Sequence, residues 1–516
     1  MLLSAIVFCP LLFALAALLL PTRWVRPASL LMATFEFGLS LAIFGHFDKA
    51  ATGLQLVVQR TWIPELGISY FLGIDGLSLW LVILTTFLSP IVILASWSAI
   101  EDKVKGFHAA FFVLMTAMLG SFLAMDAVLF YVFFELSLVP MYFMIGIWGG
   151  PRRIYATVKF FIFTMVGSLL MLLAIIYLMF ATADTLGAMS SSVLSFYQLR
   201  LPFVAGELMN PQTLLFFAFA VAFAIKIPMF PLHTWLPDAH TEAPTPGSVI
   251  LAGVMLKMGT YGFMRFVIPV FPEAAEYWSW LFLVLGTVGI VYGALVAMVQ
   301  TDIKKLVAYS SVSHMGYVII GLFALNHFGA TGALYQMLSH GISTGALFIL
   351  VGMIYERTHS REIGRYGGLA KAMPIFAILF VVVTMSAIAV PMTNGFVGEF
   401  LILLGAFAAN KGVAACAVTG VVFGAVYMLW MVKRVFYGEA GELVRPGTHP
   451  LKDLSLREMA TLAPLVIVIF WMGLFPNTFL DWSSASIDHW VKDRDTYSLS
   501  VAPPDPGATP RSEVAR

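Results

Sequence analysis

Long apolar runs follow one another along almost the whole chain, separated by short polar segments that contain Gly, Pro and charged residues. A helix of about 20 apolar residues crosses the ~30 Å hydrocarbon layer of a bilayer. The pattern therefore predicts an all-α polytopic membrane protein with about fourteen transmembrane helices, numbered here as spans 1–14. The predicted spans cover 2–20, 28–46, 77–97, 107–124, 127–148, 158–180, 213–236, 246–270, 279–299, 305–325, 331–355, 373–408, 412–436 and 458–477.

Two of these runs contain helix-breaking residues near their middle. The run 213–236 contains Pro228 and Pro231, and the run 373–408 contains the sequence Pro-Met-Thr-Asn-Gly at 391–395. The sequence Ile-Pro-Met at the first break is echoed by Val-Pro-Met at the second, five spans later. An odd number of spans between the two would give the two units opposite topology. Broken spans 7 and 12 in such units are the pattern that indicates an ion path in transporters built from repeats.

Composition supports the membrane assignment, because 60% of residues are hydrophobic, 11% are charged and the mean hydropathy is +0.91. A soluble protein has roughly a quarter charged residues, so a soluble enzyme is excluded. The net charge of +1 gives no basic face for nucleic acid. Cys9 and Cys416 lie in separate apolar runs and we expect no disulfide between them. The chain has no CxxC and no nucleotide-binding fingerprint, so we expect no metal, no bound cofactor and no redox chemistry in it.

Lysine and arginine are concentrated in the loops that follow odd-numbered spans. The positive-inside rule places these loops in the cytoplasm. We therefore expect a multi-pass protein of a bacterial inner membrane with both termini in the periplasm. The polar tail after about Trp482 contains Pro503, Pro504 and Pro506, and we expect it to be poorly ordered beyond its first turns.

A few titratable residues fall deep inside the predicted spans, where a charge costs about 2.5–3.5 kcal/mol on insertion scales. Counting residues from the span ends at a rise of ~1.5 Å per residue places all of them near the same depth. Where this count is clearest, the depth is about 13–17 Å from a membrane edge. They would form a row in the membrane plane. These residues are Glu135, Lys226, Lys257, His314, His340 and Glu399.

Each of these residues also has a structural interpretation. Glu135 and Lys226 can form a static ion pair, and an intramembrane histidine can serve only as a hydrogen bond between helices. Asp75 and Asp126 lie at span starts, where we expect interfacial water to solvate their charges at little free-energy cost. We expect their role to be structural.

The polar segments on the inner side also have interpretations that involve no metal or relay. We expect the inner loop with Asp238, His240 and Glu242 to cap span 8 or admit protons rather than bind a metal. Lys304 and Lys305 are interpreted as snorkelling anchors at the inner interface.

Three longer sequences carry a family resemblance: FFELSLVPMYFMIGIWGGPRRIYA at 133–156, KIPMFPLHTWLPDAHTEAPTPGSVILAGVMLKMGTYGFMRF at 226–266 and TDIKKLVAYSSVSHMGYV at 301–318. They resemble the antiporter-like membrane subunits of respiratory complex I, the proton-pumping NADH:quinone oxidoreductase. The resemblance is greatest to the chain M type, whose mitochondrial counterpart is chain 4. It extends from about residue 60 to 480.

This resemblance implies two inverted five-helix repeats, in spans 4–8 and 9–13. The corresponding division of the chain is 1–106, 107–270, 279–436, 437–482 and 483–516. The resemblance also implies that the six deep residues form a proton relay, with Glu135 paired to Lys226. NADH, FMN, iron–sulfur clusters and quinone would then be bound by partner subunits. The implied partners are membrane lipids and the neighbouring antiporter-like chains L and N.

Three functions remain open at this point. The first is a complex I subunit that pumps protons as electrons move elsewhere in the complex. The second is a subunit of a multi-subunit cation/proton antiporter or membrane-bound hydrogenase, for which a Na⁺-dependent pH change without quinone would argue. The third is a spacer between other subunits, for which normal pumping after Glu135→Gln would argue.

Overall fold

The computed structural model describes residues 1–445, 451–492 and 499, and it is built from helices that cross a membrane. Within these residues, twelve helices are long and apolar enough to span a bilayer. Three shorter apolar helices belong to spans 7 and 12, which are broken. The fourteen predicted spans are therefore all present as helical elements.

The single-helix spans are Leu2–Leu19 (span 1), Thr22–Leu41 (2), Leu79–Ala99 (3), Val104–Leu123 (4), Arg153–Leu186 (6), Ser279–Met298 (9), Ile303–Phe323 (10), His327–Thr358 (11), Lys411–Phe436 (13) and Leu456–Leu474 (14). Span 5 is Ala127–Leu136 with Leu138–Trp148, span 7 is Pro211–Lys226 with Trp235–Glu242, and span 12 is Pro374–Ala387 with Asn394–Ala409. Span 8 runs from Thr245 to Val270. Short helices outside the spans are Ala42–Gly45, Pro64–Leu66, Val193–Gln198, Pro272–Tyr277, Ile363–Arg365, Leu369–Ala372, Asn477–Leu480 and Ser484–Lys492.

Predicted boundaries differ most at spans 2 and 6. Span 2 begins at Thr22 rather than at 28, because Pro27 lies in the second turn of the helix and does not end it. Span 6 has 34 residues and is longer than the predicted 158–180 at both ends. The polar residues at those ends extend the helix beyond the apolar run from which the prediction was made.

Loops after odd-numbered spans contact one another on one side of the bundle. Trp148 Nε1 donates to Asp102 O at 2.8 Å, and the Arg152 backbone N–H donates to Glu242 Oε2 at 2.8 Å. Loops after even-numbered spans meet on the other side, where the Ser69 N–H donates to Asp126 Oδ2 at 2.9 Å. This separation of the loops onto two sides is what a chain that crosses the membrane fourteen times requires.

A β-hairpin departs from the all-α prediction. Strands β1 (Gln55–Ile63) and β2 (Ile68–Ile74) pair antiparallel between spans 2 and 3. Gly67, in the turn, has φ of +62°, and a Cβ there would lie 1.8 Å from Met189 O, so only glycine fits. The hairpin was missed because its strands are too short to register as apolar runs of membrane length.

Two turns of nearly identical design start spans 5 and 10. Asp126 caps span 5 by accepting from the backbone N–H groups of Val128 and Leu129, and Asp302 caps span 10 by accepting from those of Lys304 and Lys305. Each Asp also forms an isolated antiparallel bridge with the chain after the next span, at Ser192 and Glu362 respectively. The two turns lie on opposite sides of the bundle, because one follows an even-numbered span and the other an odd-numbered span.

Asp75 and Arg265 form a buried ion pair where we expected an interfacial carboxylate. Asp75 is 0% exposed and Arg265 is 1% exposed. Arg265 Nη2 lies 2.7 Å from both carboxylate oxygens, and Arg265 Nε donates to Tyr261 Oη at 3.0 Å. Asp126 is also fully buried. The expectation that both are structural agrees with these contacts, but the reason given was wrong, because protein groups rather than interfacial water satisfy them.

The beginning of the polar tail is a helix that packs on the bundle. Ser484–Lys492 buries Ile487 and Trp490, and Trp490 Nε1 donates to Met264 O at 2.8 Å. The Gly76 N–H donates to Ser486 Oγ at 3.0 Å. The rest of the predicted tail, 493–498 and 500–516, lies outside the described residues.

We expect Asp75→Asn to destabilise the chain, because it removes the carboxylate that neutralises a buried guanidinium, a loss of about 3–5 kcal/mol. The measurement is the yield and Tm of the assembled protein on native gels. Asp48→Asn, at an exposed loop carboxylate, is the matched control. Wild-type assembly and Tm in Asp75→Asn would contradict the structural role of the pair.

Candidate functional site

Span 8 is almost completely enclosed, because every residue from Pro246 to Val270 is buried. It is not a uniform α-helix, because Leu251–Met255 and Phe263–Val267 are π-helical. π-helical turns inside α-helices are frequent at functional sites. Lys257 lies between these two segments and is 0% exposed.

The Lys257 ammonium is held by two acceptors. Its Nζ donates to Ala252 O at 2.6 Å and lies 2.7 Å from Nδ1 of His340 on span 11. Since an ammonium can only donate, His340 Nδ1 is the acceptor when Lys257 is charged. His340 Nε2 is buried and makes no hydrogen bond in the structure.

The row continues from span 11 through span 10 to span 12. The rings of His340 and His314 have centroids 5.8 Å apart. His314 Nδ1 lies 3.0 Å from Glu399 Oε1, and Gln336 Nε2 donates to the same oxygen at 3.1 Å. Four of the six predicted relay residues are thus brought together in one buried row.

The break in span 12 positions Glu399 at the end of this row. Asn394 begins the second helix, and its Oδ1 accepts from Ser343 Oγ at 3.1 Å and from Ser386 Oγ. A Cβ at Gly398 would lie 2.5 Å from Gln336 Oε1, so glycine there lets span 12 approach span 11. The polar residues near the break therefore fix the second half of span 12 against the histidines.

Lys226 and Glu135 occupy a separate position, and the expected ion pair between them is absent from the described structure. Lys226 Nζ instead donates to Ser137 Oγ at 3.2 Å and lies 4.7 Å from the centroid of the Phe134 ring. Glu135 Oε1 is enclosed and makes no hydrogen bond within the described residues, and Glu135 is close enough to Lys226 to interact with it electrostatically. Ser137 lies between the two helical segments of span 5, so the alternative partner for Lys226 comes from the junction of those segments.

Spans 7 and 8 touch closely near these lysines. A Cβ at Gly259 would lie 2.8 Å from Phe223 O, which makes the contact specific to glycine. No hydrogen bond or ring contact links Lys226 to Lys257 in the described part of the chain. The structure thus places the six residues in two groups, a Glu135–Lys226 group and a row from Lys257 to Glu399.

On the inner side, Lys304 does not snorkel as predicted. It is 5% exposed, and its Nζ donates to Ala243 O at 2.5 Å. Lys304 and Glu242 line a cleft of about 770 Å³ that opens on the side of the odd-numbered loops. The lysine was misassigned because interfacial position alone does not reveal whether another loop covers a side chain.

The three polar residues expected in a loop after span 7 lie in its second helix and have separate partners. Asp238 pairs with Lys159 at 2.7 Å, and Glu242 Oε2 accepts from the Arg152 N–H just before span 6 rather than capping span 8. His240 is stacked on Phe348 with ring centroids 4.6 Å apart. Within the described ranges, no group of three or more Asp, Glu, His or Cys is arranged to hold a metal ion.

Sequence reasoning missed three polar residues of interest. Ser137 and Gln336 contact Lys226 and Glu399, and neutral side chains of this kind gave no charge signal within an apolar run. Glu36 is a buried carboxyl in span 2. The sequence contained the information needed to find it, because Glu36 is an acidic residue within the predicted span 28–46, as Glu135 is within 127–148.

Comparison with known families covers most of the chain. Residues 124–424 match the family described as NADH:quinone oxidoreductase/Mrp antiporter transmembrane proteins. Residues 3–126 match the amino-terminal family of NADH-ubiquinone oxidoreductase chain 4.

One relative and two solved structures match over nearly the full length. NADH-quinone oxidoreductase subunit M of Rhodobacter capsulatus is 48% identical over 504 residues, covering 95% of this chain and 96% of the relative. A chain of respiratory complex I from Thermus thermophilus with bound NADH has a TM-score of 0.85 and 33% identity, covering 95% of this chain and 99% of that one. A chain of the Mrp complex from Dietzia sp. DQ12-45-1b has a TM-score of 0.81 and 20% identity, covering 96% and 98%, and shows similarity of fold.

Proposed function

This chain belongs to the family of NADH-quinone oxidoreductase subunit M and chain 4, and from that premise we propose that its buried row from Lys257 to Glu399 conducts protons. Members of the family are antiporter-like, proton-pumping membrane subunits of complex I, and that is the function of this chain. The observation that carries the proposal is the row of neighbouring buried titratable groups: Lys257, His340, His314 and Glu399. We place electron transfer in other subunits.

The two histidines can connect the ends of the row because each ring has two nitrogens. A proton received from Lys257 at His340 Nδ1 can leave from His340 Nε2, which makes no hydrogen bond in the structure. Transfer to His314 across 5.8 Å between ring centroids requires a ring rotation or a bridging water. His314 then shares its proton with Glu399, from which we propose exit to the outer side.

We propose that Glu135 and Lys226 form the switch that drives this row. A carboxylate within reach of Lys226 stabilises its positive charge, and the bond to Ser137 is an alternative position without that counter-charge. Moving one charge against 100 mV costs about 2.3 kcal/mol. Forming and breaking one ion pair in a site of low dielectric changes the energy by a comparable amount.

The division into two inverted repeats, 107–270 and 279–436, is part of the same proposal. Its support is the pair of matched turns at Asp126 and Asp302, which lie on opposite sides and five spans apart. In this scheme, 1–106, 437–482 and 483–516 flank the repeats. Lys226 and Glu399 then occupy the two broken spans.

We further propose the surroundings of the chain in the cell. The lysine-rich loops would face the cytoplasm of a bacterium, with both termini in the periplasm. Chains L and N of the complex, together with lipid, would cover the outer face of span 6, which exposes Leu173 and Phe180. NADH, FMN, iron–sulfur clusters and quinone would be bound by partner subunits, since Cys9 and Cys416 are on different spans and supply no paired thiolates.

A subunit of a cation/proton antiporter or membrane-bound hydrogenase has less support. Both the amino-terminal match to chain 4 and the relative at 48% identity point to complex I. The Mrp complex shares the fold at 20% identity. A Na⁺-dependent pH change in vesicles without quinone turnover is the observation that would reverse this preference.

We expect Glu135→Gln to abolish both NADH-driven quinone reduction and the accompanying pH gradient in inverted membrane vesicles. The amide keeps the shape of the side chain but cannot act as counter-charge to Lys226. Native gels establish assembly, and Glu65→Gln, at an exposed turn of the hairpin, is the control that should behave as wild type. Normal reduction and a normal gradient in assembled Glu135→Gln would remove the proposed switch.

We expect Lys257→Ala to stop proton pumping while the complex still assembles, because the row then lacks the group that protonates His340. The readout is the pH gradient formed per quinone reduced. Lys371→Ala, at an exposed inner lysine, is the matched control and should pump normally. A normal pH gradient in Lys257→Ala would contradict the proposed relay.

A further inference from the structure

A second line of buried polar side chains lies between spans 2, 3 and 4, apart from the relay. On span 2, Ser29, Glu36 and Ser40 are buried on the face that also buries Val25 and Ala33. The line includes Thr86 of span 3 and His108 and Thr116 of span 4, and we call these six residues the span 2 seam. Its outer end is closed by the hydrogen bond between Ser40 Oγ and Thr86 Oγ1, at 2.7 Å.

Glu36 is the unusual member of the seam. It is 0% exposed, and neither of its carboxylate oxygens makes a hydrogen bond. It also has no ion-pair partner in the described part of the chain. An ionised carboxylate in such a place costs several kcal/mol, and a protonated acid costs far less.

The titratable groups around Glu36 do not provide a counter-ion in contact with it. Span 1 contributes Cys9, which is close enough to interact electrostatically with Glu36. Span 3 carries no titratable residue between Leu79 and Ala99. His108 of span 4 and Arg26 of span 2 lie toward the inner end, where Arg26 Nη2 donates to Ile100 O at 2.6 Å.

Several other polar atoms of the seam are buried without a hydrogen-bond partner. They are Ser29 Oγ, Thr116 Oγ1 and His108 Nδ1, and Arg26 Nε at the inner end is in the same condition. Buried polar atoms in proteins are nearly always bonded to protein or to ordered water. A row of unbonded polar atoms over the ~15 Å from Arg26 to Glu36 is therefore the pattern that a file of buried water would satisfy.

We propose that Glu36 is a proton-binding site outside the relay, held as a neutral acid and in exchange with the inner side through water in the span 2 seam. The site takes no metal or organic ligand, and its substrate is the proton. It does not depend on the proposed relay, because none of its residues contacts Lys257, His340, His314 or Glu399 through a hydrogen bond. It is also a site at which a carbodiimide would modify the chain.

The first test is modification of the assembled complex in its own membrane with dicyclohexylcarbodiimide. The acid O–H adds across one C=N bond of the reagent, so that oxygen bonds to carbon and the proton passes to nitrogen. Transfer of the acyl group from oxygen to nitrogen then gives a stable N-acylurea, which adds the mass of one reagent molecule. Mass spectrometry should find this adduct on the peptide containing Glu36, but not on the peptide containing Glu65, which is exposed.

Glu36→Gln is the matched variant and should lose the adduct at this position alone. A labelled Glu135 or Glu399 peptide would show that the reagent has reached the membrane interior. If the Glu36 peptide of that same complex is unlabelled, the proposal that Glu36 is a neutral acid is overturned. This result would leave the relay untouched.

The second test measures exchange with water. Infrared difference spectra should contain a carboxylic acid band that Glu36→Gln removes and that shifts after transfer to deuterated buffer. Ser29→Val, which replaces a hydroxyl of the seam by two methyl groups, should slow that shift several-fold, and Leu31→Val on the exposed face of span 2 should not. A band that never shifts, or that shifts equally fast in Ser29→Val, would overturn exchange through the seam.

Discussion

The Lys257 ammonium is the charge around which the membrane interior of this chain is arranged. It is completely enclosed, and among the described residues its partners are Ala252 O and His340 Nδ1. The first acceptor is a carbonyl of the π-helical segment that precedes the lysine in span 8. The second ties span 8 to span 11. The departure of span 8 from α-helical geometry and the position of His340 are thus both linked to the burial of one positive charge.

Buried charges in this chain fall into two kinds, and the difference bears on which of them can move protons. Arg265 with Asp75 and Arg357 with Glu458 are short, two-bond contacts between a guanidinium and a carboxylate. Arginine does not release its proton in proteins, so such pairs hold the structure in place. The relay contains lysine, histidine and glutamate, which meet one another through one pair of atoms at a time and keep unused atoms such as His340 Nε2. Groups of this kind can exchange protons without taking the fold apart.

The sequence alone was sufficient to find the fourteen spans, because they depend on the positions of apolar runs along the chain. It could not show how each helix is rotated about its axis, and therefore which side chains face one another. For that reason it predicted a Glu135–Lys226 pair where the lysine instead contacts Ser137, and it did not find Gln336 beside Glu399. Nor could the sequence show which side chains other parts of the fold bury, as it failed to do for Lys304 and Asp75. Glu36 is a different case, since no physical effect concealed it and the criterion that selected Glu135 applies to it equally.

The central claim is that Lys257 and Glu399 are two ends of one proton path, and residues of one path do not contribute independently to its rate. Proton pumping per quinone reduced should be measured for Lys257→Arg, Glu399→Asp and the double variant, each of which retains a charge of the same sign. One path predicts that the double variant is about as slow as the slower single variant. If the two losses instead multiply, Lys257 and Glu399 act separately, and the row is not a relay.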